Sequence, residues 1–444
     1  MAMEYWALIM FGVAVILLML GYPVALTLGA IAMIFGAGFL GLDFFDLLPL
    51  RIWGIMTNFT LLAVPLFVLM GVILEKSGLA EDLLETMGML FGRVRGGLAV
   101  SIIVVGALLA ATTGVVGATV VTMGIIALPA LLKHGYRPEL ATGTIAASGT
   151  LGQLIPPSII LILLGDVIGV PVGSLFVGAV TPGLLLIALF ILFVLLVAWW
   201  RPHVAPAVDV ALIQRDDAAG LGRRVLTNLV PPLLLVTAVL GSIFFGIASP
   251  TESAAVGALG ALILAGILRR LNLANLQGAL RQTTRLTSMV FLVLIGATAF
   301  GLVFRGMGGD ILVEDIMTGL PGNEWGFLAV SMLLIFVLGF FLDFLEICFI
   351  VVPILAPIAE TMGINLLWFG VMIAMNLQTS FLTPPFGFAL FYLKAVAPPN
   401  INIMHIYRGI IPFVVLQLIT LGLMIAYPQI ALWLPQTMDR LQGL

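Results

Sequence analysis

The sequence predicts an all-α polytopic membrane protein built from two inverted-topology repeats, each with one re-entrant helical hairpin and one broken helix. Three observations carry the prediction. Of 444 residues 62% are hydrophobic and only 9% charged, far outside the profile of a soluble domain. The basic residues collect at alternate ends of the apolar segments. The interrupted segments of the first half recur in the second at one spacing.

A membrane span needs about 20 apolar residues, and the chain reads as helices over 4–20, 23–40, 60–77, 137–168, 174–200, 226–247, 251–268, 286–304, 364–394 and 409–434. Residues 5–20 lack a basic leader and a small-residue cleavage site, and run on through Gly21 and Pro23 into the next apolar run. The first helix is therefore expected to stay in the protein. With the N-terminus outside, these spans put fifteen basic residues on the cytoplasmic side, among them Arg93, Arg95, Lys133, Arg201 and Arg408. Three stay outside: Arg51, Arg305 and Arg440. That bias supports the orientation and places both termini in the periplasm.

Two apolar segments do not fit as single spans. Residues 98–133 are entered from Arg93 and Arg95 and left through Lys133 and Arg137, so both ends are cytoplasmic and the segment is an inner hairpin. Residues 325–361 are flanked by Asp310, Glu314, Asp315, Glu324 and Glu360, which suits an outer hairpin. Their middles read "ATTGVVGAT" (111–119) and "FFLDFLEI" (340–347). Two of the spans are also interrupted, by "GTLGQLIPP" (149–157) and "NLQTSFLTPPFG" (376–387). In hydrocarbon each unsatisfied backbone group costs several kcal/mol, so irregular backbone survives only where it is buried in protein or lines a cavity. Each break is either a tolerated proline kink or a site.

The double proline at Pro156 and Pro157 precedes that at Pro384 and Pro385 by 228 residues. At the same offset Gly29 meets Gly257, Pro129 meets Pro357 and Gly135 meets Gly363, with Pro23 and Pro250 one residue off. The halves are 1–200 and 225–444, joined by a polar cytoplasmic linker, 201–224, that contains Arg215, Asp216, Asp217, Arg223 and Arg224. The first half starts outside and the second inside, so the repeats are inverted. Inverted repeats with matching broken helices point to a secondary transporter whose substrate and coupling-ion sites lie at the breaks. Freed carbonyls with Ser and Thr hydroxyls suit a hard cation, and the half-helix N-termini opposite suit an anion.

At "TTGVVGATVVTMG", "ATGTIAASGTLGQLIPPSIILILLGD", "SPTESAAVGA" and "FFLDFLEICFIVVPILAP" the chain resembles the large membrane subunit (DctM-type) of tripartite ATP-independent periplasmic (TRAP) transporters. The resemblance covers nearly the whole chain. It implies a multi-pass protein of the bacterial inner membrane and an elevator-type fold, in which the hairpins and broken helices slide against a scaffold. It also implies sodium symport of a small organic acid, a small four-helix membrane subunit, and a soluble periplasmic substrate-binding protein. The variant motifs look more like the branch linked to 2-oxo acids, mannitol-type or aromatic carboxylates than the sialic-acid or C4-dicarboxylate branches. Sodium ions are the coupling ions implied, and no cofactor is expected.

The substrate and ion candidates are Thr112, Thr113 and Gly114 at the inner tip, and Ser148, Gly149, Thr150, Gln153 and Pro156 at the first break. Asp343 and Glu346 at the outer tip and Gln378, Thr379, Ser380, Thr383 and Pro384 at the second break complete them. Sodium is expected at Ser148 and Thr150 with the inner tip, and at Asp343, Thr379 and Thr383. The first-break residues could instead simply bond helix to helix. Asp343 and Glu346 are three apart, hence on one face of a helical turn, and intramembrane carboxylates are by default functional. Asp343 matches the family's acidic residue, whereas Glu346 stands where many members have a small residue. Glu252 closes the capping box "SPTE" from Ser249, which explains it as well as a functional role does. Arg305 could attract an anion or anchor a helix end. Arg95 could pair with a lipid phosphate or a carboxylate, or merely reflect the positive-inside bias.

Other classes fare worse. There is no GxxxxGK[ST] loop for ATP hydrolysis. The nearest approach to a membrane aspartyl-protease GxGD is "LLGD" ending at Asp166, where Leu163 spoils the pattern, so an enzyme is not expected. His134, His203 and His405 have no metal-ligand spacing, and the lone Cys348 cannot form an internal disulfide. A proton-coupled organic-anion carrier and a membrane channel remain the alternatives.

Overall fold

A computed structural model describes residues 3–113, 116–207, 218–385 and 387–442, and among them there is no strand. The first half contains α1 (Met3–Met19), α2 (Val24–Phe39), α3 (Leu48–Met56), α4 (Ala63–Lys76), α5 (Leu79–Phe91), α6 (Gly97–Thr113), α7 (Val116–Lys133), α8 (Pro138–Thr150), α9 (Ile159–Ile168) and α10 (Val172–Trp200). The second contains α11 (Ala218–Arg224), α12 (Val230–Phe244), α13 (Pro250–Ile267), α14 (Leu273–Gly306), α15 (Gly309–Thr318) and α16 (Glu324–Leu338). After these come α17 (Phe344–Glu346), α18 (Val352–Thr361), α19 (Leu366–Leu382), α20 (Phe388–Val396), α21 (Ile403–Ala426) and α22 (Gln429–Gln442). A π-turn over Ile347–Val351 joins α17 and α18 into one apolar helix.

Local chemistry sets many of the boundaries. Pro138 starts α8 and Pro250 starts α13, where a missing N–H costs nothing. Asn365 caps α19, accepting from the Trp368 amide at 3.1 Å. The helices before α8 and α19 both stop at a left-handed glycine, Gly135 at φ +79° and Gly363 at φ +78°, a conformation that costs a side-chain-bearing residue energy. These glycines are 228 residues apart, as are the starts of α7 and α17 and of α8 and α19.

Two sets of helices pack closely, joined through α4, which also packs on α6 and α9. One brings α13 and α14 against α4, and α14 against α2. The other brings α21 and α7 against α8, α20 against α7, and α9 against α18 and α19. In the second set α8 and α21 approach so closely that a Cβ on Gly143 would fall into the backbone of Gly409, and one on Gly409 into the Glu139 carbonyl. Small residues permit such contact where no hydrophobic drive pushes helices together.

The structure differs from the sequence expectation at several elements. Seven described helices are long and apolar enough to cross a membrane, eight if α3 and α4 form one bent span. Several expected spans are shorter apolar helices of 10–17 residues, including α9 and α19, because each broken helix divides its apolar run in two. The expected span 409–434 is two helices, ended at Tyr427 ahead of Pro428, since proline disfavours helical backbone in the residue before it. The helix expected at 60–77 is preceded by α3 across a 55° bend. Amphipathic α5 and α15, with acids in their first turns, are too short and too charged to read as spans. Residues 208–217 of the linker lie outside the described residues, while Ala218–Arg224 are helical and Arg224 pairs with Glu85 at 2.9 Å.

Candidate functional site

The turn at the first break, Leu151–Gln153, packs on α19, the helix that leads into the second break, and α19 also touches α8 and α9. α8 gives way at Thr150 to one 3-10 turn, Leu151–Gln153, and the chain is extended at Ser158 before α9. α19 ends at Leu382, Thr383 is extended, and α20 begins at Phe388. Pro384 stops α19, and Pro156 and Pro157 keep the chain non-helical after the 3-10 turn, because proline removes a donor and clashes with a preceding turn. The Pro156–Pro157 and Pro384–Pro385 peptide bonds are both cis.

The hydroxyls of both breaks turn inward on their own helices. Ser148 donates to Thr144 O at 2.6 Å and Thr150 to Ala147 O at 2.9 Å. In the second break Thr379 donates to Met375 O at 2.9 Å, Ser380 to Leu377 O at 2.8 Å, and Thr383 to Thr379 O at 2.7 Å. A hydroxyl that has given its hydrogen away keeps its oxygen lone pairs, so each of these five can still face a cation. Gly149 and Pro156 are buried, while Pro384 is half-buried.

Gln153 and Gln378 are the unusual members. Both are completely buried, and neither amide atom of either has a hydrogen-bond partner. A buried orphan amide loses its hydration without replacement, at a cost of about 1–3 kcal/mol, and so requires a reason. One sits at each break, and Gln417 on α21 is in the same state.

Hairpin arms press on the breaks where glycine allows it. Gly106 of α6 lies against Ser148, and Gly149 against Val120 of α7. Gly339, just after α16, lies against the Ser380 hydroxyl, and Asn376 donates to Met332 O at 2.6 Å, tying α19 to α16. The inner tip is reached by α6 at Thr113, but the side chains of Thr112 and Thr113, and Gly114 altogether, lie outside the described residues. At the outer tip Asp343 is the N-cap of α17, its Oδ1 accepting from the Phe344 amide at 2.7 Å. The Glu346 carboxylate accepts from the Asp343 amide at 3.1 Å. The two acids form a capping box, with Asp343 half-buried and Glu346 buried.

The remaining candidates lie elsewhere. Glu252 is exposed and accepts from the Ser249 amide and hydroxyl, both at 2.7 Å, so its capping box is formed. Arg95 and Arg305 are exposed and make no ion pair among the described residues. Sequence reasoning passed over Asn376, although a polar residue within a buried apolar run signals a partner. It also missed Tyr407, whose hydroxyl donates to Pro385 O at 2.9 Å and satisfies a carbonyl freed by the second break. Nothing in the sequence around Tyr407 pointed to that contact. Among the described residues no group of three or more His, Cys, Asp or Glu is placed to hold a metal. The ligands on offer are hydroxyl and amide oxygens and the carboxylates of Asp343 and Glu346.

Apolar helices gathered around two helix breaks, each with hydroxyls and an unpaired amide, are the features of a multi-pass membrane transport protein. The chain belongs to the family of the DctM component of the tripartite ATP-independent periplasmic transporter, whose family model matches residues 11–430. It is 30% identical over 389 residues to the C4-dicarboxylate TRAP transporter large permease protein DctM of Pseudomonas aeruginosa, covering 87% of this chain and 89% of that one. To the sialic acid TRAP transporter large permease protein SiaM of Vibrio cholerae it is 32% identical over 387 residues, covering 86% and 88%. Its fold is similar to the crystal structure of the Alcanivorax borkumensis YdaH transporter, with a TM-score of 0.65 at 14% identity over 94% of this chain and 99% of that one. These relatives are permease subunits, and the chain is a transporter component rather than an enzyme.

Proposed function

We propose that this chain is the large subunit of a sodium-coupled importer of a small organic acid, working by an elevator motion in the bacterial inner membrane with both termini periplasmic. Its partners are a small four-helix membrane subunit and a periplasmic substrate-binding protein that delivers the carboxylate. The observation that carries the reading is the pair of helix breaks, each with a fully buried Gln, Gln153 or Gln378, whose amide is unpaired. The 228-residue spacing of the hairpins, glycines and broken helices supports two repeats related by inverted topology.

In this reading sodium is held by Ser148 and Thr150 with the inner tip at Thr112 to Gly114, and by Asp343, Thr379 and Thr383. Gly149, Gln153, Pro156, Gln378, Ser380 and Pro384 line the substrate space, with Glu346 at its rim. The N-termini of α9 and α20 begin just past the breaks, so their unpaired N–H groups favour the carboxylate. Sodium neutralises the site, and the loaded hairpins and broken helices travel together past the group built on α2, α4, α13 and α14. Hydroxyl and carbonyl oxygens, backbone dipoles and the Asp343 carboxylate together offset the charges of the bound sodium and carboxylate as they cross the bilayer.

The test is uptake of radiolabelled 2-oxo acids and aromatic carboxylates into proteoliposomes holding the permease subunits, with the periplasmic protein outside. Saturable accumulation driven by an inward sodium gradient is expected. Accumulation that persists without sodium and follows a proton gradient would select the second reading, proton coupling, which the carboxylate of Glu346 beside Asp343 favours. Flux that does not saturate would indicate a channel.

A further inference from the structure

The sequence singled out Asp166 only as part of a failed protease signature, and the transport reading leaves it unused. In the structure its Oδ1 accepts a hydrogen bond from Asn58 Nδ2 at 2.6 Å, across 108 residues of chain. The other end of the Asn58 amide is also engaged, its Oδ1 accepting from the Thr60 backbone at 2.9 Å. Asn58 thus cannot turn without losing both bonds.

The two partners belong to different sets of helices, which also meet where α9 packs on α4 and on the turn Thr60–Leu62. Asn58 occupies the elbow between α3 and α4, where the axis bends by 55°. Thr251, in the first turn of α13, donates to the Phe59 carbonyl at 2.9 Å and fixes that elbow to the α4–α13 group. Asp166 lies near the end of α9, which packs on α18 and α19. In contrast, the side-chain bridges Arg224–Glu85, Asn228–Thr86 and Arg270–Asp82 all involve α5. The repeat offers no counterpart. A shift of 228 residues carries Asn58 to Leu286, inside the unbroken α14, and Asp166 to Lys394, whose Nζ donates to Ile401 O at 2.6 Å.

We infer that Asn58 and Asp166 are positioning residues that form a one-sided latch, holding α9 against the α3–α4 elbow in one end state of the cycle and releasing it in the other. The inference rests on the elevator reading. Two pseudo-symmetric halves make the two end states nearly equivalent, so a contact present on one side only is what separates them in energy. A ligand shifts such an equilibrium only by its differential affinity for the two states, so sodium binding at the breaks and the latch act on the same balance. With the N-terminus outside, the latch lies on the periplasmic side.

The test uses Asn58→Cys/Asp166→Cys in a Cys348→Ser background, co-assembled with its partner subunit and bridged by the short reagent ethane-1,2-diyl bismethanethiosulfonate. Cross-linking is expected in membranes, with a rate that changes at least threefold when sodium chloride alone replaces choline chloride. Cross-linked protein should lose at least nine-tenths of its uptake of whichever radiolabelled carboxylate the Cys348→Ser protein accumulates, and dithiothreitol should restore it. The swap Asn58→Asp/Asp166→Asn, which keeps one donor and one acceptor, should retain uptake within twofold. Undiminished uptake by fully cross-linked protein would overturn the latch, as would failure to cross-link in either salt. Absence of sodium-driven uptake in the Cys348→Ser protein before any cross-linking would instead strike the transport reading.

Discussion

The carboxylate of Glu346 accepts the backbone N–H of Asp343 at 3.1 Å while the Asp343 side chain accepts that of Phe344, so two acids expected to bind ion and substrate also close one helix start. Capping and ligation can be separated, because asparagine caps as well as aspartate. Asp343→Asn should leave melting temperature and yield unchanged while abolishing sodium-driven uptake. Asp343→Ala should lose uptake and, in addition, about 1 kcal/mol of stability. Near-normal uptake by Asp343→Asn would reduce the residue to a cap.

Thr383 donates to the Thr379 carbonyl, and its oxygen remains open to a cation. Thr383→Val preserves shape and deletes that oxygen. The sodium concentration for half-maximal uptake should rise at least threefold with yield within about a third of wild type, a loss of roughly 0.7 kcal/mol or more in ion binding. A parallel fall of yield and uptake would show that the hydroxyl serves packing.

Gln378 is buried with both amide atoms unpaired. An apolar residue of similar length removes that desolvation penalty. Gln378→Met should therefore melt at or above the wild-type temperature in detergent and yet lose most uptake. A lower melting temperature with uptake retained would mean that the amide supports the fold and not the substrate.

The contact of Gly143 with Gly409 leaves no room for a methyl group. Gly143→Ala should force α8 and α21 apart and destabilise the protein by about 1–3 kcal/mol, the usual cost of overpacking. Thermal unfolding in detergent measures it, and an unchanged melting temperature would show that the two helices separate freely.

Orientation is tested by labelling. In a Cys348→Ser background, a cysteine at the exposed Arg201 should react with impermeant maleimide only from the cytoplasm, and one at the exposed Asn323 only from the periplasm. Labelling of both from one face would overturn the inverted arrangement.

Sequence alone determined the solvent, the helical class and both breaks. The physical reason is that hydrocarbon tolerates few alternatives: apolar length sets the spans, and irregular backbone survives only where it is buried in protein or lines a cavity. Charge was less informative about α5 and α15, whose short acidic-headed faces read as loop. The bend between α3 and α4 escaped because Thr57 to Phe59 contains neither proline nor glycine. Which polar groups meet was decided by tertiary structure alone. Asn58 and Asp166 are 108 residues apart and Tyr407 and Pro385 are 22 apart, and each pairing exists only because packed helices bring the partners within hydrogen-bond reach. The same holds for the orphan amides of Gln153 and Gln378, since burial without a partner depends on how neighbouring helices pack, and no local pattern encodes that.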